Sequence, residues 1–269
     1  MRNRKSPRHF SSPLHLLISP AGRAASYRGN MATLILATGN PHKVRELREI
    51  FAAAEVSGVD VLGLNDLKLT APPIEPEEHG TTFEENARIK ALSYATQIAE
   101  GAPQYEDAWC LGDDSGIIID ALALGDGTPR PGVISSHYSS DGKETGLARP
   151  ERDAANNGRV LRELQGLPTE KRSARFVCCM CLARAERPGE SFHHAIIHET
   201  RGVCEGRIGV PPRVPAGANG FGYDPLFLVG PRFEQTGAEL TPEEKNRVSH
   251  RGMAGRSLAD WLRAHGIPG

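Results

Sequence analysis

Short apolar runs alternate with amphipathic stretches along most of this chain, and the two periods predict its elements. Runs with strand character lie near residues 33–38, 59–62, 108–120, 174–184, 192–201 and 226–229, bounded by Gly, Pro, Asn and polar clusters. Apolar positions three and four apart, as in Val44, Leu47, Ile50 and Phe51, predict helices near 42–54, 82–99, 153–165, 242–247 and 252–265. Strands and helices in alternation define an α/β protein. Residues 174–201 break that rhythm, because two strand-like runs meet at a polar turn over 186–189. That segment predicts an antiparallel hairpin, and so a mixed sheet.

Four places in this pattern carry chemistry. Ala108, Trp109, Cys110 and Leu111 lead into Asp113, Asp114, Ser115 and Gly116, and Ile117, Ile118 and Ile119 lead out. Two carboxylates are thus expected at a tight glycine corner beside a core. Such carboxylates suit Mg²⁺ through hard oxygen ligands or a general base acting on water; an Asx-type turn uses the same residues. Upstream, the strand ending at Leu36 runs into Thr38, Gly39, Asn40, Pro41, His42 and Lys43 at the head of a helix. Backbone amides, a helix N-terminus and an ammonium at such a turn favour phosphate. The spacing is not that of a P-loop.

Thr82 and Glu85 have capping-box spacing, so a helix starting there carries Asn86 and Lys90 one turn apart on one face. Glu77 and Glu78 lie just ahead of it, free to join Asp114 around a cation. Further on, Gly220 and Gly222 flank Phe221 and precede Tyr223 and Asp224. Glycines there allow a flat ligand close to the backbone, and the aromatic rings offer a face on which a base stacks. Lys245, His250 and Arg251 add donors for carbonyl or phosphate oxygens.

Taken together and in this order, Thr-Gly-Asn-Pro-His-Lys at 38–43, Thr-Phe-Glu-Glu-Asn-Ala-Arg-Ile-Lys-Ala at 82–91, Asp-Asp-Ser-Gly at 113–116, Pro-Gly-Val at 131–133, Gly-Phe-Gly-Tyr-Asp-Pro at 220–225 and Ser-His-Arg-Gly at 249–252 closely resemble the inosine triphosphate pyrophosphatase family. The resemblance runs from about residue 31 to the C-terminus. It implies an elongated mixed β-sheet with flanking helices, two lobes around a central substrate cleft, and a homodimer. It also implies Mg²⁺-dependent hydrolysis of non-standard purine nucleoside triphosphates (ITP, dITP, XTP, dXTP) to the monophosphate and pyrophosphate.

Residue by residue, the resemblance has Thr38, Gly39, Asn40, Pro41, His42, Lys43 and Lys90 grip the triphosphate and Ser115 touch the substrate. Asp114 becomes the catalytic carboxylate near Mg²⁺, and Glu77 the second metal ligand. Phe221, Gly222, Tyr223, Asp224, Lys245, His250 and Arg251 make the base and phosphate contacts. One departure stands out. Family members usually read Ser-Ala-Arg after the Pro-Gly-Val turn, whereas this chain has Ser135, Ser136 and His137, which replaces a guanidinium with a group only partly charged near neutral pH. Segments 122–130 and 145–153 look extended, as hydrophilic surface insertions.

Composition fits this picture. The 269 residues are 39% hydrophobic and 24% charged, ordinary globular usage for one large α/β domain, and no apolar run approaches membrane-span length. Residues 1–30 carry six basic residues and no acid, so the formal charge of −1 leaves −7 on the remainder. A broad nucleic-acid-binding face is not expected on such a surface. The leader is expected to be a disordered tail or a misassigned start, with 31–269 forming the catalytic domain. Cys178, Cys179 and Cys181 alternate as on a buried strand, without the spacing of a zinc site. Five cysteines and no secretory signal point to a reducing cytoplasm.

Overall fold

The computed structural model describes residues 31–69, 71, 73–105, 108–184 and 195–266. The basic leader and the turn expected at 186–189 lie outside these residues.

Six strands form one mixed sheet in the order β2-β1-β3-β4-β5-β6. β1 (Ala32–Leu36) runs parallel to β2 (Val59–Gly63) and to β3 (Trp109–Ile119). β3, β4 (Ser173–Arg184), β5 (Ala195–Ile208) and β6 (Phe227–Val229) then pair antiparallel. The expected hairpin is therefore present as β4–β5, and the sheet is mixed. Helix α1 (Pro41–Ala53) follows β1, α2 (Phe83–Gly101) precedes β3, α3 (Arg149–Glu163) precedes β4, and α4 (Pro242–Val248) and α5 (His250–His265) close the chain.

Alternation along the strands sorts the core onto two faces. Leu34 and Leu36 of β1, with Cys178, Met180 and Leu182 of β4, pack with Leu47, Ile50, Leu258 and Leu262 of α1 and α5. On the other face Cys179 and Cys181 pack with Phe83, Ala87 and Ala91 of α2, while Ile35 and Cys110 meet Tyr94 and Ile98. At the C-terminal end of β3, Ile117 and Ile119 join Tyr138, Val160, Leu164 and Tyr223 in a further apolar cluster that includes residues of α3.

The glycine corner expected at 113–116 is not a corner. β3 continues unbroken through Asp113, Asp114, Ser115 and Gly116 and stays paired with β4 throughout. Its glycines serve close packing instead. A Cβ at Gly112 would overlap the carbonyl oxygen of Ala87 in α2, and one at Gly116 would overlap Ser135 Oγ. Similarly β5 runs on to Ile208, past the 201 boundary expected from sequence. Gly202 lies within it because the backbone of α5 at His250 approaches too closely for any side chain. α3 begins at Arg149 rather than 153, with Pro150 in its first turn, where a missing N–H costs nothing.

Candidate active site

Because successive strand residues face opposite ways, the neighbours Asp113 and Asp114 enter different environments. Asp113 turns toward α1 and α5. It pairs with Lys43 and accepts from Arg251 Nε at 3.1 Å and from the Cys178 thiol at 3.3 Å. Burial opposes its charge, but Arg251 and Lys43 outweigh burial and hold its carboxyl well below the usual carboxylate range. Asp114 turns toward α2, where Lys90 Nζ donates to its Oδ1 at 3.0 Å. Here burial dominates, and Glu78 adds repulsion, so its pKa rises despite Lys90. Its other oxygen, Oδ2, is buried with no hydrogen-bond partner.

Lys90 also reaches Glu78 Oε2 at 2.9 Å, so one ammonium bridges two carboxylates. Burial disfavours that ammonium, yet Asp114 and Glu78 raise its pKa overall. The capping box fixes this end of α2: Thr82 Oγ accepts from Glu85 N at 3.2 Å, and Glu85 Oε2 accepts from Thr82 N at 3.2 Å. Asn86, buried one turn before Lys90, accepts from Gly80 N at 2.9 Å and ties down the chain leaving Glu78. Glu77 and Glu78 are both exposed; Glu78 lines the cavity and Glu77 does not.

These groups open into a cavity of about 1110 Å³, just above the usual small-molecule range. Thr38, Gly39, Asn40 and Lys43 line it, while Pro41 and His42 are exposed outside the lining. Asn40 caps α1 by accepting from His42 N at 3.0 Å, and Thr38 Oγ accepts from Asn40 N at 3.2 Å, which shapes the cradle.

Toward the other side lie Phe221, Gly222, Tyr223, Asp224, Lys245 and His250. Asp224 Oδ2 accepts from Phe221 N at 2.8 Å and from Lys245 Nζ at 2.6 Å, fixing the aromatic loop to α4. Tyr223 donates to the carbonyl of Ser135 at 2.6 Å. His250 stacks on Phe176, ring centroids 4.9 Å apart. Ser249 caps α5 by accepting from Gly252 N at 3.0 Å, which presents His250 and Arg251 in the first turn. Arg251 spans the site: besides Asp113, its Nη1 donates to Glu46 at 2.7 Å and its Nη2 to Ser115 Oγ at 3.1 Å. Each of its three nitrogens thus already has an acceptor within the protein.

Burial, then Arg251, holds His250 neutral, its pKa well below the usual value. The unfolded chain binds that proton near pH 6.5 and the folded chain resists it. Stability from this residue is therefore complete above about pH 6.5 and is lost as pH falls below it. Melting temperature is expected to decline from pH 7 to pH 5, with a shallower decline in His250→Gln, measured by scanning calorimetry.

Sequence reasoning missed Glu46, Asp153, Asn157 and Arg152. Asp153 Oδ2 accepts from Gly222 N, and Asn157 Nδ2 donates to the carbonyl of Gly222, both at 3.0 Å. Asn156 and Asn157 adjacent in mid-helix, where asparagine is a poor choice, were the available signal. The guanidinium lost at position 137 returns in space, since Arg152 Nη1 lies 3.2 Å from His137 Nε2. Glu144 Oε2 is 2.9 Å from the same nitrogen.

Fold and cleft together define an α/β protein with a lysine-bridged carboxylate centre at one part of a cavity and an aromatic loop at another. The chain belongs to the Ham1 family, whose model matches residues 34–261. It is 42% identical over 233 residues to the dITP/XTP pyrophosphatase of Halalkalibacterium halodurans, covering 86% of this chain and all of that protein. It is 39% identical over 232 residues to the dITP/XTP pyrophosphatase of Oceanobacillus iheyensis, covering 86% and 98% of the two chains. Among solved structures, a HAM1 protein from Coxiella burnetii superposes with a TM-score of 0.64 at 35% identity, covering 87% of this chain and 100% of that one. No helix among the described residues is long and apolar enough to cross a membrane.

Proposed function

We propose that this protein hydrolyses non-standard purine nucleoside triphosphates, ITP and XTP with their deoxy forms, to the monophosphate and pyrophosphate. The observation that carries this reading is the pairing at Lys90: one buried ammonium bridges Asp114 and Glu78 while Asp114 Oδ2 has no partner. A buried acceptor without a donor is costly, and a cation or a water proton would satisfy it. The names of the relatives at about 40% identity support the same substrate class.

The donor set fits Mg²⁺. Asp114 and Glu78 supply hard oxygens, and this ion is commonly held by one or two carboxylates, with waters and substrate phosphates completing its shell. Bound there, Mg²⁺ would neutralise phosphate charge. Asp114 Oδ2 takes a proton from water as its oxygen attacks the α-phosphorus; the α–β bridging P–O bond breaks and pyrophosphate leaves. The raised pKa of Asp114 suits a base that must accept a proton. Lys90 orients that carboxylate, and Lys43 and the α1 cradle offer positive charge to the phosphate chain. Asp113 acts as an anchor for Lys43 and Arg251.

At the base end, a 6-keto oxygen is an acceptor where adenine carries an amino donor. Donors on the Lys245 ammonium and the neutral His250 ring match the first and leave the second unpaired, at about 1–3 kcal/mol for each buried group. ATP is therefore expected to be turned over at least about tenfold less efficiently than ITP. Pyrophosphate release across a panel of nucleoside triphosphates, with and without Mg²⁺, tests this; equal kcat/KM for ATP and ITP contradicts it.

A further inference from the structure

Two cations approach the ring of Phe221. Lys245 Nζ is 4.9 Å from its centroid and the Arg149 guanidinium 4.6 Å. They are held very differently. Lys245 is 16% exposed and fixed to Asp224 at 2.6 Å. Arg149 is 46% exposed, and its acidic partner Asp153 stands 3.8 Å away, a pairing that contributes little at a surface. Arg149 is thus the cation that can lift away. Its backbone, by contrast, is well placed. Residues 149, 153 and 157 share one face of α3 at successive turns. The latter two grip both the N–H and the carbonyl of Gly222, next to Phe221.

We infer that Arg149 is a base-binding residue that closes over the purine, so that the base lies between its guanidinium plane and the Phe221 ring. The inference rests on the nucleotide reading of the cleft. Opening the present 4.6 Å contact to two stacked layers, about 7 Å at ordinary van der Waals separation, asks only for a side-chain movement of an exposed arginine. A planar guanidinium stacks on π faces where an ammonium does not. Segment 145–153, which the sequence presents as a surface insertion, thereby supplies a wall of the site.

The test is calorimetric binding of inosine monophosphate and, separately, inorganic tripolyphosphate to the wild-type protein, Arg149→Ala and Arg149→Lys. Arg149→Ala is expected to bind inosine monophosphate about tenfold more weakly, as for loss of one stacking partner, and to bind tripolyphosphate unchanged. Arg149→Lys keeps the charge without the plane and is expected to recover only part of the loss. Unchanged or tighter inosine monophosphate binding in Arg149→Ala overturns the inference, as does full recovery in Arg149→Lys. Equal weakening of tripolyphosphate also overturns it, since Arg149 then serves phosphate. A wild-type protein that binds inosine monophosphate yet leaves ITP intact contradicts the functional reading while leaving the sandwich standing.

Discussion

Asp113→Asn is expected to lower stability by about 3–5 kcal/mol, the cost of breaking a buried ion pair from one side. In a chain of this size that shifts the melting temperature by roughly 10 °C. The amide cannot neutralise both Lys43 and Arg251, and the Cys178 thiol loses a charged acceptor. The sign of the pH effect follows from the same contacts. The folded pKa of Asp113 lies below its unfolded value near 3.9, so its stabilisation is complete above that pH and is lost as pH falls toward the folded value. Acid titration of the melting temperature should therefore show a loss below about pH 4 that is reduced in Asp113→Asn.

Asp114→Asn is expected to show the opposite balance: stability changes far less than in Asp113→Asn, while kcat falls by about 10²–10⁴. Burial already penalises the Asp114 charge, and Lys90 keeps Glu78 as a partner when that charge is removed. What disappears is the basic oxygen, Oδ2, that has no partner within the protein. Retention of more than roughly a tenth of the wild-type rate would remove Asp114 from the role of base, because the low end of the expected loss is a hundredfold. The two substitutions differ by one position in β3 and separate anchor from base.

That contrast was not legible in the sequence, where Asp113 and Asp114 read as one acidic corner. Glycine there reads as a turn, whereas Gly112 and Gly116 are flat places on a strand against which α2 and the segment around Ser135 pack. The capping box at Thr82 and Glu85 and the strand-turn-helix cradle at 38–43 were legible, because local hydrogen bonding alone fixes them. Glu77 and Glu78 are adjacent in a segment without regular structure, so no local period chooses which one faces Lys90. Long-range partners were invisible for a different reason. His137 and Arg152 meet only because α3 begins at Arg149, and Arg251 meets Glu46 only because α5 packs beside α1.

Water activated at Asp114 is expected to attack the α-phosphorus of a 6-keto purine triphosphate. Hydrolysis of ITP in ¹⁸O-labelled water with Mg²⁺, followed by mass spectrometry of both products, tests it most directly. One labelled oxygen is expected in inosine monophosphate and none in pyrophosphate. Label in pyrophosphate, or release of free phosphate with inosine diphosphate, would contradict it.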